Sequence, residues 1–515
     1  MMTNETPISG AASQDATRAY FNSYPTTSPQ ALGLTNLWVS QAGFGSYRVD
    51  QSKPDYFNAL TYALKHGVNL IDTSANYGAG EAEVMIGQCL RSLVSENELQ
   101  REAVVLVSKC GYLQGDTYQQ YQSQEKPEDR FLEVIPLGEG VAHCIHPHFI
   151  ADQLTGSLDR LGVSCIDVYL LHNPEYFLTT YATPENIEAI RDDYYTRIKR
   201  AFIHLEEEVK LGRISYYGVS SNTFPDPAHS PFHTSLERLL AIAESVSDDH
   251  HFRVIQSPLN VYESSLVLDA NQSGLQTTLG VAHKNNIGVL ANRPLNAIVN
   301  KNQLIRLANV TVDDDISSIE IEDELNGLMV LEDSWDDLDL KSSLSESEEK
   351  AIRKVFSIGQ ELNLAWRDFS SLEQWRETVS YHIYPRVDWA MGFLGEKDLL
   401  IQDEKKQWFE TYIARLNQSI KSIVLYYQLI SASRANDIRY ALNDVDSLLD
   451  GLSLSQQALR IQQATQGISS TLVGMRQIGY VQDIAVVLND SPPKEDRLLL
   501  WKTVREKLGH LELIR

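Results

Sequence analysis

The 515-residue sequence lacks any apolar run of the ~18 to 20 residues that a membrane-spanning helix needs. Its first thirty residues contain no apolar segment of signal-peptide type, and Arg18 is their only basic residue, which argues against a transit peptide. The chain has four cysteines and no C-x-x-C pair, so a disulfide framework is excluded. These absences predict a cytoplasmic protein with a loose, polar N-terminal tail over residues 1–30.

Basic residues are also scarce. The chain has 44 lysines and arginines against 69 acids, a net charge of −25, which disfavours nucleic acids and anionic membrane surfaces as partners. Residues 311–350 alone hold fifteen acids and two lysines, a net charge of −13. Because so few basic residues can pair with these acids, we expect this stretch to be flexible or loop-like.

Two familiar types of binding motif are missing. The G-x-G at 78–80 lacks the third glycine and the distal acid of a dinucleotide fingerprint. The segment HCIHPHF (143–149) has three histidines and a cysteine, but Pro147 fits the first turn of a helix, so we interpret it as a loop that enters a helix. We therefore predict no metal site.

Short apolar segments rich in Val, Ile, Leu and Tyr alternate with helical patterns along the chain. Eight segments are strand candidates: 41–47, 68–74, 103–109, 165–172, 214–221, 253–259, 287–294 and 470–476. Continuous apolar strands that alternate with helices indicate a parallel sheet covered by helices. Eight such units predict an α/β protein with a (β/α)8 TIM barrel.

The alternation breaks between the seventh and eighth strands. We predict a barrel over 31–300 (strands 1 to 7), an acidic and helical insertion over 301–450, and strand 8 with C-terminal helices over 451–515. Within the insertion, residues 351–448 carry helical periodicity with many aromatics. A smaller insertion at 111–140 follows strand 3, and barrel loops at that end of a strand surround the active site.

The carboxyl ends of the strands carry four ionisable residues: Asp72, Tyr77, Lys109 and His172. Tyrosine alone is a poor acid at neutral pH, because its pKa is about 10. A nearby ammonium is expected to lower that pKa, and an aspartate would hold the lysine in place. A neutral histidine could donate a hydrogen bond to a carbonyl. Together these groups predict a general acid for an alkoxide that forms on a carbonyl carbon.

Four segments resemble motifs of the aldo/keto reductase family. They are NLIDTSANYGAGEAEVMIG, VVLVSKCG, GSLDRLGVSCIDVYLLHNPE and KLGRISYYGVSSN. The resemblance covers about residues 37–296 and 452–490 and leaves the helical insertion out. It implies a (β/α)8 barrel that binds a nicotinamide cofactor without a Rossmann fold, with Asp72, Tyr77, Lys109 and His172 as the catalytic tetrad.

The same resemblance implies a cofactor site. Its residues would be Gly45, Ser46, Tyr47, Asp72, Ser220, Ser221, Gln256, Arg293, Gly474, Arg476 and Tyr480. Ser221 stands where the family has Asn, and the strand-seven setting Asn292-Arg293-Pro294-Leu295 lacks the family's stacking aromatic, so Arg293 is a candidate for a cofactor phosphate. Gly474 and Arg476 fit a phosphate-binding turn that opens a helix. Arg476 favours NADP, with NAD as the alternative.

The resemblance thus implies an NAD(P)H-dependent oxidoreductase acting on a small aldehyde, ketone or sugar-like alcohol, with Tyr77 as general acid and base. Two other hypotheses stay open. The barrel is alternatively a non-catalytic cofactor-binding sensor or scaffold whose insertion binds a partner. An isomerase or lyase on the same barrel would need a metal or phosphate site that the sequence does not offer.

Overall fold

The computed structural model describes residues 6–49, 53–123, 131–299, 303–310, 312, 320–338, 340, 343–401, 403–490 and 492–511. The chain divides into two compact units. The first comprises residues up to Ala297 and from Ala441 to Leu511, and the second comprises Ile298–Tyr440. Among the described residues, no helix is both long and apolar enough to cross a bilayer.

The first unit contains a closed, parallel, eight-stranded barrel. In chain order its strands are β1 (Ala42–Gly45), β2 (Leu70–Asp72), β3 (Val105–Cys110), β4 (Ile166–His172), β5 (Ile214–Ser220), β6 (Phe252–Pro258), β7 (Gly288–Asn292) and β8 (Ser470–Val473). Six of the eight strands lie within the predicted segments, while β3 ends one residue later, at Cys110, and β6 begins one residue earlier, at Phe252. The prediction of a (β/α)8 barrel with a large insertion between β7 and β8 is confirmed. The strands read as continuous apolar runs because each has a barrel core on one face and helices on the other.

Helices surround the barrel and follow its strands. Those of the first unit are Gln14–Tyr20, Pro54–Leu64, Glu81–Ser95, Asp116–Ser123, Pro147–Leu161, Tyr176–Tyr181, Ile187–Lys210, Leu236–Val246, Ser265–Leu268, Thr278–Lys284, Leu454–Gln463, Ile478–Leu488 and Leu498–Gly509. Accessory strands are Gln30–Ala31, Trp38–Val39, Tyr112–Gln114, Ile135–Gly138, Val141–His143, Asn296–Val299 and Gln303–Arg306. The three at 112–143 form a small antiparallel sheet within the insertion that follows β3.

The N-terminal segment differs from the predicted loose tail. Residues from Gln14 form a helix that Ser13 caps, and Phe21 at its end is buried. The Ala12 N–H donates to Asp167 Oδ1 at 2.6 Å, which ties the segment to the start of β4. The prediction was based on the polarity of the segment. It did not take into account that a few buried aromatic and apolar side chains can hold such a segment in a fixed structure.

A hairpin and a buried ion pair complete the amino-terminal end of the barrel. Leu32, Leu37 and Val39 of the hairpin join the apolar cluster inside the barrel. Asp167 Oδ2 accepts from the Arg101 guanidinium at 3.0 Å and from a β3 backbone N–H at 2.7 Å. Both ionic side chains are almost fully buried. Replacing one partner of such a buried pair is strongly destabilising, because the other charge is left buried without a counter-charge.

The second unit is helical and has its own apolar core. Its helices are Ile321–Asp333, Glu346–Val355, Ile358–Ala365, Leu372–Thr378, Tyr384–Glu396 and Asp403–Asn443, with a π-helical turn at Val379–Ile383. The core is one cluster of buried side chains that includes Trp335, Trp366 and Trp375. Four-residue and three-residue spacing of apolar side chains along these helices gives each of them a buried face.

Much of the acidic stretch is helical, which corrects the prediction of a loop. Ile321, Leu325 and Leu328 lie at helical spacing and are buried. Ser345 and Glu348 form a capping box that starts the next helix. The prediction relied on the number of acids and overlooked the apolar spacing and the capping residues. The acids lie on the outer faces of amphipathic helices, so they do not prevent helix formation. Residues 313–319 lie outside the described residues.

We expect Asp167→Asn to lower the free energy of unfolding of the barrel unit by about 3 kcal/mol, because it leaves the Arg101 charge buried and unpaired. Urea unfolding measures this loss. The matched control is Asp192→Asn, which breaks an exposed pair with Arg238 and should change stability by less than about 1 kcal/mol. Equal losses in the two variants would contradict a structural role for the buried pair.

Candidate active site

The carboxyl ends of β2, β3 and β4 bring together the four side chains predicted to act on a substrate. Asp72 ends β2, Lys109 lies one residue before the end of β3, and His172 ends β4. Tyr77 opens a short 3₁₀ turn that follows β2. The position of each residue follows from the parallel barrel, because all strands deliver their last residues to the same rim.

Lys109 is the central group of this site. Its Nζ donates to Asp72 Oδ2 at 2.7 Å and to the Thr73 carbonyl at 2.8 Å. The Tyr77 hydroxyl lies 3.4 Å from the same nitrogen, which stands 4.9 Å from the centre of the Tyr77 ring. Lys109 is fully buried and Asp72 nearly so. The ammonium is therefore fixed by two oxygens and directed at one phenol.

Burial dominates the ionisation of these groups. Burial raises the pKa of Asp72 and lowers the pKa of Lys109, while the attraction between the two groups opposes both shifts. The pKa of Tyr77 lies well above its usual value, first because of burial and then because of the negative charge of Asp72. The pKa of Tyr77 is therefore shifted upward by burial, opposite to the direction expected from the nearby lysine alone. Tyr77 keeps its proton at neutral pH.

His172 is neutral, and Ser74 controls its tautomer. Burial, followed by the charge of Lys109, lowers the pKa of His172 well below its usual value. Its Nδ1 lies 3.1 Å from the Ser74 hydroxyl, which donates to Asn76 Oδ1 at 2.6 Å. Because a hydroxyl has one proton, Ser74 in this arrangement accepts from His172 Nδ1–H, and Ser74 has to turn its proton toward Nδ1 for that bond to favour a proton on Nε2, the nitrogen left for a substrate.

A row of polar side chains extends the site along the rim. In the barrel register Ser220 lies between His172 and Gln256. The Ser220 hydroxyl donates to Gln256 Oε1 at 3.1 Å, and Gln256 Nε2 donates to Asp72 Oδ1 at 2.7 Å. Asn292 Nδ2 lies 3.3 Å from the same Gln256 oxygen. The second carboxylate oxygen of Asp72 thus accepts a hydrogen bond from Gln256, a residue that the family resemblance assigns to the cofactor site.

The residues after β1 border this row. Gly45 pairs with Asp72 in the register. Ser46 is buried, and its hydroxyl has no hydrogen-bond partner in the described part of the chain. Tyr47 is 62 % exposed and meets the Tyr77 ring edge-on, with ring centres 5.4 Å apart. Tyr47 therefore lies beside the predicted proton donor, and Gly45 lies beside Asp72.

Ser221 and Arg293 already have protein partners. The Ser221 hydroxyl lies 3.1 Å from that of Thr223 and 3.3 Å from that of Thr234. Arg293, whose φ of 53° is left-handed, donates from Nη2 to Glu263 at 2.7 Å. A phosphate at Arg293 would therefore have to compete with a carboxylate.

The turn after β8 is open. Gly474 is exposed and has free space around the position of a side chain. Arg476 is partly exposed and makes no hydrogen bond or ion pair with any residue that the structure describes. Tyr480 lies in the first turn of the helix Ile478–Leu488, which has no side-chain cap. A guanidinium beside the amino end of a helix is suited to an anion.

Sequence reasoning missed a second layer around His172. The Tyr112 ring meets the His172 ring edge-on at 4.9 Å. Its hydroxyl accepts from Asn173 Nδ2 at 2.7 Å and lies 3.1 Å from the Tyr176 hydroxyl. Tyr112 belongs to the insertion after β3, which was expected near the active site. The sequence signal was the NPE that follows His172, which was treated only as part of a motif, together with Tyr176 directly after it.

The histidine-rich segment supports this layer. His143 Nε2 donates to the His172 carbonyl at 2.7 Å, and burial lowers the pKa of His143 to about 4. His146 precedes the helix that starts at Pro147, as the sequence predicted. Among the described residues, no group of three or more His, Cys, Asp or Glu side chains is arranged to hold a metal ion.

Glu175 is the most unusual acid near the site. It is almost fully buried, and one carboxylate oxygen accepts from the Asn222 N–H at 2.8 Å. Oε2 has no hydrogen-bond partner within the described residues. Burial raises the pKa of Glu175 to about 7. The side chain connects the loop after His172 with the turn after β5.

We expect the stability of the wild type to fall relative to Glu175→Gln as the pH rises from 5 to 8. The folded pKa of Glu175 lies above its unfolded value, so the carboxyl favours the folded state at low pH, and this contribution is lost as the pH rises through about 7. The relative loss should be about 3 kcal/mol. Urea unfolding at the two pH values measures it. The exposed Glu188→Gln should show no such change, and a pH-independent difference for Glu175→Gln would refute the prediction.

The comparisons with known proteins begin with a family model. A model described as the aldo/keto reductase family matches residues 41–297, which carry β1 to β7 and every residue of the predicted tetrad. The insertion and β8 lie outside the match. Because the matched region contains the four segments that resemble the family, motif and model agree.

Curated relatives align over shorter stretches. The NADH-specific methylglyoxal reductase of Escherichia coli is 30 % identical over 152 residues, 27 % of this chain and 40 % of that protein. The L-galactose dehydrogenase of Arabidopsis thaliana is 30 % identical over 139 residues, 26 % of this chain and 40 % of that protein. Aldose reductase C of Dictyostelium discoideum is 24 % identical over 189 residues, 36 % and 48 % respectively. The matches thus span less than half of each relative.

The solved structures that match this chain include two aldo-keto reductases with low TM-scores. The holo form of one from Bacillus halodurans has a TM-score of 0.45 at 14 % identity, covering 93 % of this chain and 96 % of that one. One from Klebsiella pneumoniae, in complex with NADP and acetate, has a TM-score of 0.32 at 20 % identity, covering 52 % and 68 %. Since these scores are low, the assignment depends on the family model and on the barrel itself. The chain belongs to the aldo/keto reductase family.

Proposed function

We propose that this protein is an NAD(P)H-dependent oxidoreductase that interconverts a small aldehyde or ketone and the corresponding alcohol, with Tyr77 as the general acid and base. The observation that carries the proposal is the buried ammonium of Lys109, fixed by Asp72 and directed at the Tyr77 hydroxyl. A phenol beside a fixed cation is suited to give a proton to a forming alkoxide.

The residues present fit a nicotinamide cofactor. Polar groups that would bind a carboxamide lie in a row on the rim, and the Ser46 hydroxyl and Asn292 Oδ1 are buried without a partner among the described residues. Arg476, unpaired in the described structure, stands with Gly474 beside an uncapped helix start that suits a phosphate. Gln256 and Ser220 would hold the nicotinamide end and Arg476 the adenosine phosphate. We favour NADP, with NAD as the alternative.

When bound, the cofactor supplies or accepts the hydride. His172, neutral because it is buried, orients the substrate carbonyl if its proton is on Nε2. Tyr77 donates its proton to the carbonyl oxygen as negative charge develops there. Lys109 stabilises the phenolate that remains, and Asp72 keeps Lys109 in position. In the oxidative direction, the same phenolate takes the proton from the alcohol.

The substrate is proposed only as a class. The named relatives include a methylglyoxal reductase, an aldose reductase and an L-galactose dehydrogenase. These names agree on small, polar carbonyls or alcohols, and the site of this chain is lined with hydroxyl and amide groups that suit them. The hydroxyls of Tyr112 and Tyr176 and the amide of Asn173 supply hydrogen bonds beside His172.

We expect Tyr77→Phe to reduce turnover by at least about 100-fold while cofactor binding is retained, because the substitution removes only the acidic hydroxyl and keeps the ring. Steady-state assays with an aldehyde and ketone panel measure turnover with NADPH and with NADH. Quenching of protein fluorescence measures cofactor binding. Tyr62→Phe is the matched control, since Tyr62 lies on a barrel helix and stacks on His66, and its turnover should stay within about twofold of wild type.

Two outcomes would overturn the proposal. Wild-type turnover of Tyr77→Phe would remove Tyr77 from its role. Cofactor binding by the wild type without turnover of any carbonyl or alcohol in the panel would favour the sensor or scaffold hypothesis instead.

A further inference from the structure

The helical unit contains a cleft of about 280 Å³ that no step of the proposed reaction uses. Three arginines line it: Arg306, Arg367 and Arg434, here called the arginine cleft. Glu373 is the single acid among the lining residues. Residues 298–440 hold 26 acids and 16 lysines and arginines, so a cleft with three cations and one acid reverses the charge of its surroundings.

The positive charge of the arginine cleft is only partly balanced. Arg306 Nη1 donates to Glu373 at 3.1 Å, which neutralises one cation with the one acid. Arg367 donates to Glu322 at 2.5 Å, so an anion at Arg367 would share this guanidinium with Glu322, which does not line the cleft. Arg434 makes no hydrogen bond or ion pair with any described residue. Because a guanidinium can bind two oxygens of a carboxylate or a phosphate through parallel N–H groups, the surplus positive charge is suited to either anion.

The remaining wall is apolar and aromatic. Phe369, Tyr426 and Tyr427 line it, and the Tyr427 hydroxyl is occupied because it donates to the Trp366 carbonyl at 2.7 Å. The Tyr426 ring meets the Trp366 ring edge-on at 5.0 Å and is partly buried. These rings offer a surface for packing rather than further hydrogen bonds. The volume lies near the lower end of small-molecule sites, about 300 Å³.

We propose that the arginine cleft binds a small amphipathic organic anion, with one carboxylate or phosphate group on a compact apolar or aromatic body. The anionic group pairs with Arg367 and Arg434, and the apolar body packs on the aromatic wall. This site lies in the part of the chain outside the aldo/keto reductase match and does not depend on the proposed reaction. It gives the insertion a ligand of its own.

Isothermal titration of the full-length protein tests the proposal with four probes: phenyl phosphate, benzoate, benzyl alcohol and inorganic phosphate. We expect phenyl phosphate or benzoate to bind at one saturable site, and which of them binds identifies the anionic group. Benzyl alcohol lacks the charge and inorganic phosphate lacks the apolar body, so both should bind at least about tenfold more weakly.

Four variants locate the binding. Arg434→Gln and Arg367→Gln should each weaken the binding at least about tenfold, whereas Arg353→Gln, which removes an exposed arginine of the same unit, should leave it unchanged. Because Arg434 has no described partner, its replacement should preserve the fold, which circular dichroism checks. Absence of binding, binding unaffected in both cleft variants, or binding abolished by Arg476→Gln would overturn the proposal; the last result would assign the anion to the barrel.

Discussion

The ion pair between Lys109 and Asp72 is the interaction on which the proposed chemistry depends. Burying two charges is expensive unless both are fully hydrogen-bonded. Here the ammonium has two oxygen partners at 2.7 and 2.8 Å, and the Gln256 amide donates to the other carboxylate oxygen of Asp72. The barrel makes this possible, because β2, β3 and β6 bring the three side chains to one rim. The same buried setting keeps the Tyr77 proton in place.

Around this ion pair, side-chain hydrogen bonds connect the loops that follow neighbouring barrel strands. Tyr112, Asn173 and Glu175 connect the loop after β3, the end of β4 and the turn after β5 through hydrogen bonds. Ser74 sets the hydrogen bonding of His172. Such partners hold a side chain at a fixed angle, and small displacements of reacting groups have large effects on rate. Glu175 combines this role with a carboxylate oxygen that has no hydrogen-bond partner among the described residues.

The fold and the cluster at the strand ends could be predicted because both depend on local sequence signals. Apolar runs mark the strands, and Asp72, Lys109 and His172 stand where those runs stop. The residues around His172 could not be predicted, since Tyr112 reaches His172 through a small sheet and Glu175 reaches the turn after β5, and the sequence does not encode either approach locally. The pKa of Tyr77 was misjudged for a related reason: proximity to Lys109 was visible in the motif, but the extent of burial was not. In the helical unit, the net charge concealed the amphipathic pattern of Ile321, Leu325 and Leu328.

The central claim is that the barrel transfers a hydride to a carbonyl carbon at this site. Reduction of a small aldehyde with NADPH deuterated at C4 of the dihydronicotinamide, followed by mass spectrometry of the alcohol, tests this most directly. The expected product carries one deuterium on the carbinol carbon. Alcohol without deuterium on that carbon, from cofactor fully labelled at C4, would contradict the claim, as would tight cofactor binding without any alcohol.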